Sequence, residues 1–157
     1  MTIAPHAIIG AAVGTLTDNI WLAFLFGLVS HFLTDLTPHL EPKFLVVKKS
    51  DGTKKWSPWL YLFVIIESAA TIYLLYLWRS RPDFNVLLAG ALGGLAPDCI
   101  ANNPFLQKTR NKPIFKQFFW FHDTIHQELA NNLWPVSLSI EVLLLGGALW
   151  LLLKSPF

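Results

Sequence analysis

The chain predicts an all-α fold, a polytopic helical membrane protein, on three observations. Hydrophobic residues make up 54% and charged residues 14% of the 157 positions, too apolar for an ordinary soluble domain of this size. Trp59 to Trp78 is a run of 20 residues whose only ionisable side chains are Glu67 and tyrosines, long enough to cross a hydrocarbon core of roughly 30 Å. The basic residues fall between the apolar runs rather than within them. Length supports one domain, residues 1–157.

The elements follow in order. Ala7 to Leu16 reads as a short helix, separated by the turn-like Thr17-Asp18-Asn19 from a crossing over Ile20 to Leu33, so the two form a helical hairpin. Phe44 to Trp56 carries Lys48, Lys49, Lys54 and Lys55 around Asp51-Gly52, a dipeptide favoured in tight turns, and predicts a small exposed hairpin. Trp59 to Trp78 is the next crossing. Phe84 to Leu95 is short and apolar, with Gly90, Gly93 and Gly94 permitting close approach of neighbouring helices.

Asn102 to Pro113 reads as a polar loop. From Lys112 to Leu133, Phe115, Phe118, Phe119 and Trp120 sit among Lys116, Gln117, His122, Asp123, Gln127 and Glu128, which predicts an amphipathic helix at the interface. Pro135 to Leu153 is a last full-length crossing. The expectation is four to five transmembrane helices, plus the amphipathic helix and a hairpin in a cytoplasmic loop. The N-terminus lacks a basic n-region, so no cleavable signal peptide is expected.

Orientation follows from charge. If the helices beginning at Ile20 and Trp59 both span, one face holds Lys43, Lys48, Lys49, Lys54, Lys55, Lys108, Arg110, Lys112 and Lys116, and the other holds Arg79 and Arg81. The positive-inside rule makes the first face cytoplasmic. The net charge of only +2 and the loop placement of basic residues disfavour a nucleic-acid partner.

On that same face the histidines gather. In Ser30-His31-Phe32-Leu33-Thr34-Asp35-Leu36-Thr37-Pro38-His39, His31 and Asp35 are four apart and share one helix face, and Pro38 stops the helix and presents His39 beyond it. His122 and His126 repeat the spacing. Asp98 offers a loop carboxylate where the apolar run ends, and the first hairpin returns His6 to the same level. A lone charge in hydrocarbon costs roughly 2.5 to 3.5 kcal/mol and needs a partner, which a shared ion supplies.

The metal ligands so predicted are His6, His31, Asp35, His39, Asp98, His122 and His126. Imidazole and carboxylate donors, with Cys99 the single cysteine and no disulfide possible, point to a catalytic divalent ion: zinc first, with manganese or iron as alternatives. Asp123 points about 100° around the helix from His122 and is a candidate general base or supporting partner. Plainer roles stay open: His31 with Asp35 as a pair at a helix C-terminus, Asp98 as a turn residue, His122 and His126 as exposed side chains. Glu67 and Glu141, within apolar runs, are either hydrogen-bonded between helices or functional.

At these residues the chain resembles the membrane-bound metal-dependent hydrolases of the inner membrane. The likeness rests on His6 followed by Gly10, on Ser30-His31-x-x-x-Asp35, on Gly93-Gly94-Leu95-Ala96-Pro97-Asp98, and on the second histidine pair. That family reads His-Arg-Gly-x-Thr-His where this chain has His122-Asp123-Thr124-Ile125-His126, and its segments come in a different order. More remotely, His31-x-x-x-Asp35-x-x-Pro38-His39 resembles the zinc-dependent phospholipase C and single-strand nuclease group.

Both resemblances imply hydrolysis at a metal centre. A metal ion would lower the pKa of a bound water while Asp123, or a bridging Asp35 or Asp98, takes its proton. The expected substrate is a lipid or lipid-phosphate at headgroup level, with membrane lipids as partners. The competing class is a non-enzymatic protein for metal binding, transport or structure.

Overall fold

The computed structural model describes residues 2–39, 46–48, 54–103, 106, 109–110, 112–125 and 133–154. Among them are six helices: α1 (Ile3–Gly14), α2 (Ile20–Asp35), α3 (Pro58–Leu77), α4 (Phe84–Ala101), α5 (Pro113–Ile125) and α6 (Trp134–Lys154). A two-stranded antiparallel hairpin, β1 (Val46–Lys48) with β2 (Lys54–Trp56), pairs Val47 with Lys55. The expected hairpin is therefore present, while its Asp51-Gly52 turn lies outside the described residues.

Local chemistry sets the helix starts. Asn19 caps α2, its side chain accepting from the Trp21 and Leu22 amides at 2.9 and 3.1 Å. Ser57 caps α3 through the Leu60 amide at 3.2 Å, with Pro58 in the first turn where a missing N–H costs nothing. Helix α1 begins at Ile3 rather than near Ala7, because Pro5 falls within the first turn and fits there.

Three helices, Pro58–Leu77, Phe84–Ala101 and the Pro135–Lys154 part of α6, are long and apolar enough to cross a membrane. The expectation of four to five is corrected to three. At 12 and 16 residues, α1 and α2 rise only about 18 and 24 Å, short of a bilayer core of roughly 30 Å. The run beginning at Phe84 is longer than expected, since α4 continues through Pro97 to Ala101. The proline removes one backbone bond, to the Gly93 carbonyl, and tight packing of that turn against α2 outweighs the loss.

Helix α1 is the centre of the bundle. Nine of its residues are buried, and it packs against α2, α3, α4 and α6. Ile8, Ile9, Ala11 and Ala12 join Leu87 and Ala91 of α4 and Ala148 and Leu152 of α6 in one apolar core. Arg81, paired with Asp83, donates to the Leu152 carbonyl at 2.7 Å and ties the last turn of α6 to the α3–α4 connection. The outer surface is apolar: Trp21, Ile72, Leu143 and Leu153 are 66–82% exposed.

Candidate metal centre

The site rests on a glycine seam. Added Cβ atoms at Gly10 of α1 and Gly27 of α2 would both overlap the Gly90 carbonyl of α4. One at Gly93 would overlap the Phe24 carbonyl, and one at Gly94 the His6 carbonyl. Backbone thus meets backbone across three helices, as small residues permit. That contact brings His6 of α1, the end of α2 and the end of α4 to one level, and α5 adds His122.

At this level His6, His31 and Asp35 are each at most 1% exposed, and His122 is 8% exposed. His6 Nε2 lies 3.2 Å from Asp35 Oδ1 and 4.0 Å from Asp98 Oδ2. His31 Nε2 lies 3.2 Å from Asp35 Oδ2, and His122 Nε2 3.4 Å from Asp98 Oδ1. The His6 and His31 rings are 4.1 Å apart between centroids, and those of His31 and His122 5.7 Å.

Hydrogen bonds on the far side of two rings fix where the lone pairs point. His31 Nδ1 is 2.8 Å from the Gly94 carbonyl, which can only accept, so Nδ1 carries the proton and a neutral ring has its lone pair on Nε2. His6 Nδ1 is 3.1 Å from the Thr34 hydroxyl, whose own proton goes to the Ser30 and His31 carbonyls at 3.0 and 2.8 Å. His6 Nδ1 therefore donates, and its lone pair also sits on Nε2.

Both lone pairs face the Asp35 carboxylate, acceptor against acceptor. Each Nε2 is buried and, although within ion-pair distance of Asp35, makes no hydrogen bond of proper geometry. A proton or a cation between them would relieve the opposition. Protonating both rings would place two imidazolium ions 4.1 Å apart in a buried site, an arrangement that burial and like charge both oppose. Burial already holds the His6 imidazole below its ordinary 6.5, with the Asp35 carboxylate pulling the other way and His31 adding to the lowering.

The distances fit a cation. A charge-assisted N–H···O bond is about 2.7–2.9 Å long, whereas two ligands at about 2.1 Å from one tetrahedral ion stand about 3.4 Å apart. The two 3.2 Å separations, His6 from Asp35 Oδ1 and His31 from Asp35 Oδ2, lie nearer the second. Two sets of donor atoms, His6–His31–Asp98 and His31–Asp35–His122, lie within 4.8 Å of one another. The residues present fit a divalent ion.

Of the seven predicted ligands, the structure gathers five. His39 is fully buried, with Nδ1 2.8 Å from the Thr37 carbonyl, and belongs to neither donor set. His126 lies outside the described residues. Asp98 reaches the site from the last turns of α4, not from the expected loop. Asp123 is placed behind His122: its carboxylate is 3.8 Å from Nδ1, while Nε2 faces Asp98. It is half exposed and pairs with Arg110.

The sequence assigned no role at the site to Thr34 or to the Gly94 carbonyl, which orient the two buried rings. Thr34 stands three residues after His31 and one before Asp35, so helical spacing alone could have placed it on the site face. Glu67 accepts from the Ala4 amide at 3.3 Å, bonding α3 to the first turn of α1, where backbone donors lack helical partners. No protein-family model, curated protein or solved structure matches the chain.

Proposed function

We propose that the protein is a metal-dependent hydrolase of the inner membrane, acting on an ester or phosphoester carried by a lipid. The observation that carries this reading is the pair of buried imidazole lone pairs, on His6 and His31, set against one carboxylate. Zinc is the first candidate ion, with manganese or iron as alternatives, because the donors are nitrogen and carboxylate oxygen. Three-ligand sets leave coordination positions for water and substrate, as catalytic sites require.

The bound ion would supply an acidified water and polarise the scissile group's oxygen. The chain's own residues do the rest. Gly94 and Thr34 hold two rings in the ligating tautomer. Asp35 or Asp98 takes the proton of the attacking water, each lying on the Nε2 side of the imidazoles. Asp123, on the opposite side of His122, is better placed to steady that ring. In sequence, nine lysines and arginines fall between α2 and α3 or between α4 and α6, against Arg79, Arg81 and Lys154 at the other end, a bias that supports a cytoplasmic-facing centre.

The test is elemental analysis of detergent-purified protein after dialysis against a mild chelator, native against His31→Ala/Asp98→Ala. It is followed by incubation with vesicles of phospholipid and lipid phosphate, with products read by mass spectrometry. Bound zinc or manganese, lost in the variant, with chelator-sensitive product release, is the expected result. A folded native protein without metal would overturn the reading.

A further inference from the structure

The five side chains alternate in space as His31, Asp35, His6, Asp98, His122. Each carboxylate offers its two oxygens to different imidazoles: Asp35 Oδ1 to His6 and Oδ2 to His31, both at 3.2 Å, and Asp98 Oδ2 to His6 at 4.0 Å and Oδ1 to His122 at 3.4 Å. An imidazole Nε2 has one lone pair and serves one ion. A carboxylate has two oxygens and can serve two.

Three nitrogens and four oxygens are more donors than one tetrahedral or one octahedral ion takes. Nor do the five form one compact shell. Their atoms divide into two overlapping sets that share His31, and two ligands of one ion stand no more than about 4.2 Å apart, twice the metal–ligand distance. Since His31 can bind only one ion, the second set must complete itself otherwise. Asp35 Oδ1, 3.2 Å from His6 Nε2, is in place to do so.

We propose that the site is binuclear and bridged by Asp35, one ion held by His31, His122 and Asp35 Oδ2, the other by His6, Asp98 and Asp35 Oδ1. The inference rests on the hydrolase reading and narrows its substrate to a phosphoester. Two ions about 3.5–4 Å apart stabilise both the attacking and the leaving oxygen of an in-line displacement at phosphorus. Water oxygen bonds to phosphorus as the ester P–O bond breaks, and the water's proton ends on the departing alcohol by way of a site carboxylate.

The test is manganese loading of the detergent-purified full chain, with metal counted per chain and the spin state read by electron paramagnetic resonance. The expected result is two ions per chain with an exchange-coupled spectrum, and loss of coupling in Asp35→Asn. One ion per chain with a plain six-line spectrum in the native protein overturns the bridge, and if that protein still cleaves lipid the hydrolase reading survives. Two uncoupled ions also overturn it. A metal-free chain overturns both readings. The decisive spectrum is that of the native protein, so the outcome does not depend on whether the variant folds.

Discussion

Gly94 positions two of the proposed ligands at once, and replacing it with alanine should disable both. Its carbonyl receives the His31 Nδ1 proton at 2.8 Å, and its bare α-carbon leaves room for the His6 backbone. An added Cβ would lie 3.1 Å from the His6 carbonyl carbon and overlap the oxygen. To recover ordinary van der Waals contact, α1 must retreat by on the order of 1 Å. Overpacking of this kind costs about 1–3 kcal/mol of stability.

The same retreat carries His6 from 3.2 Å to about 4 Å from Asp35, past the roughly 3.4 Å that two ligands of a tetrahedral ion span. Disturbing ligand orientation lowers metal affinity by about 10- to 100-fold. Competition with a chromophoric chelator measures that affinity, and thermal unfolding measures the stability. Gly147→Ala is the control, because nothing lies within 4 Å of a Cβ there; it should match native protein or gain slightly from better helix propensity. A Gly94→Ala protein that binds zinc within about twofold of native would refute the claim that the seam sets the ligand geometry.

Thr34→Val keeps the shape and removes the oxygen that orients His6, so zinc affinity should fall about tenfold with helix content unchanged; undiminished affinity would show that Thr34 does not fix the ring. Because burial holds His6 below 6.5, the unfolded chain takes up a proton there before the folded metal-free protein does, and stability should decline as pH falls through 6.5. Thermal melts of metal-free native protein should show that decline and His6→Gln should lessen it, whereas a flat native profile would contradict it. Asp123→Asn should keep its metal and, with a half-exposed ion pair lost, stay within about 1 kcal/mol of native stability. A more than tenfold fall in rate at full metal content would instead make Asp123 the general base. On a Cys99→Ala background, Lys54→Cys and Arg79→Cys should react with an impermeant thiol reagent from opposite sides of a sealed vesicle; labelling from the same side would overturn the topology.

Periodicity reached the parts of this protein that depend on one helix at a time. The His31–Asp35 pair is legible because four residues make about one turn, and α3 is legible because an apolar run as long as a bilayer is wide has few other uses. Glycines at 90, 93 and 94 announced close approach, and the structure realises it. What remained hidden depends on contacts between helices. Whether α4 stops at Pro97 is decided by packing against α2. Asp123 adjoins His122 in sequence, yet the direction its side chain takes is set by Arg110.

The central position of α1 has a consequence for assembly. This helix is made before the helices that seat it, is too short to cross a bilayer by itself, and must wait for its seat. The surface that receives Gly10 and Gly14 is built from Val86, Gly90 and Gly94, which leave the ribosome some 80 residues later. Docking of α1 is therefore a late step, and it carries His6 to a cluster whose other proposed ligands come from α2, α4 and α5. An ion that binds His6 together with the rest closes the bundle as it completes the centre, so metal supply would govern how much of the newly made chain reaches its final packing.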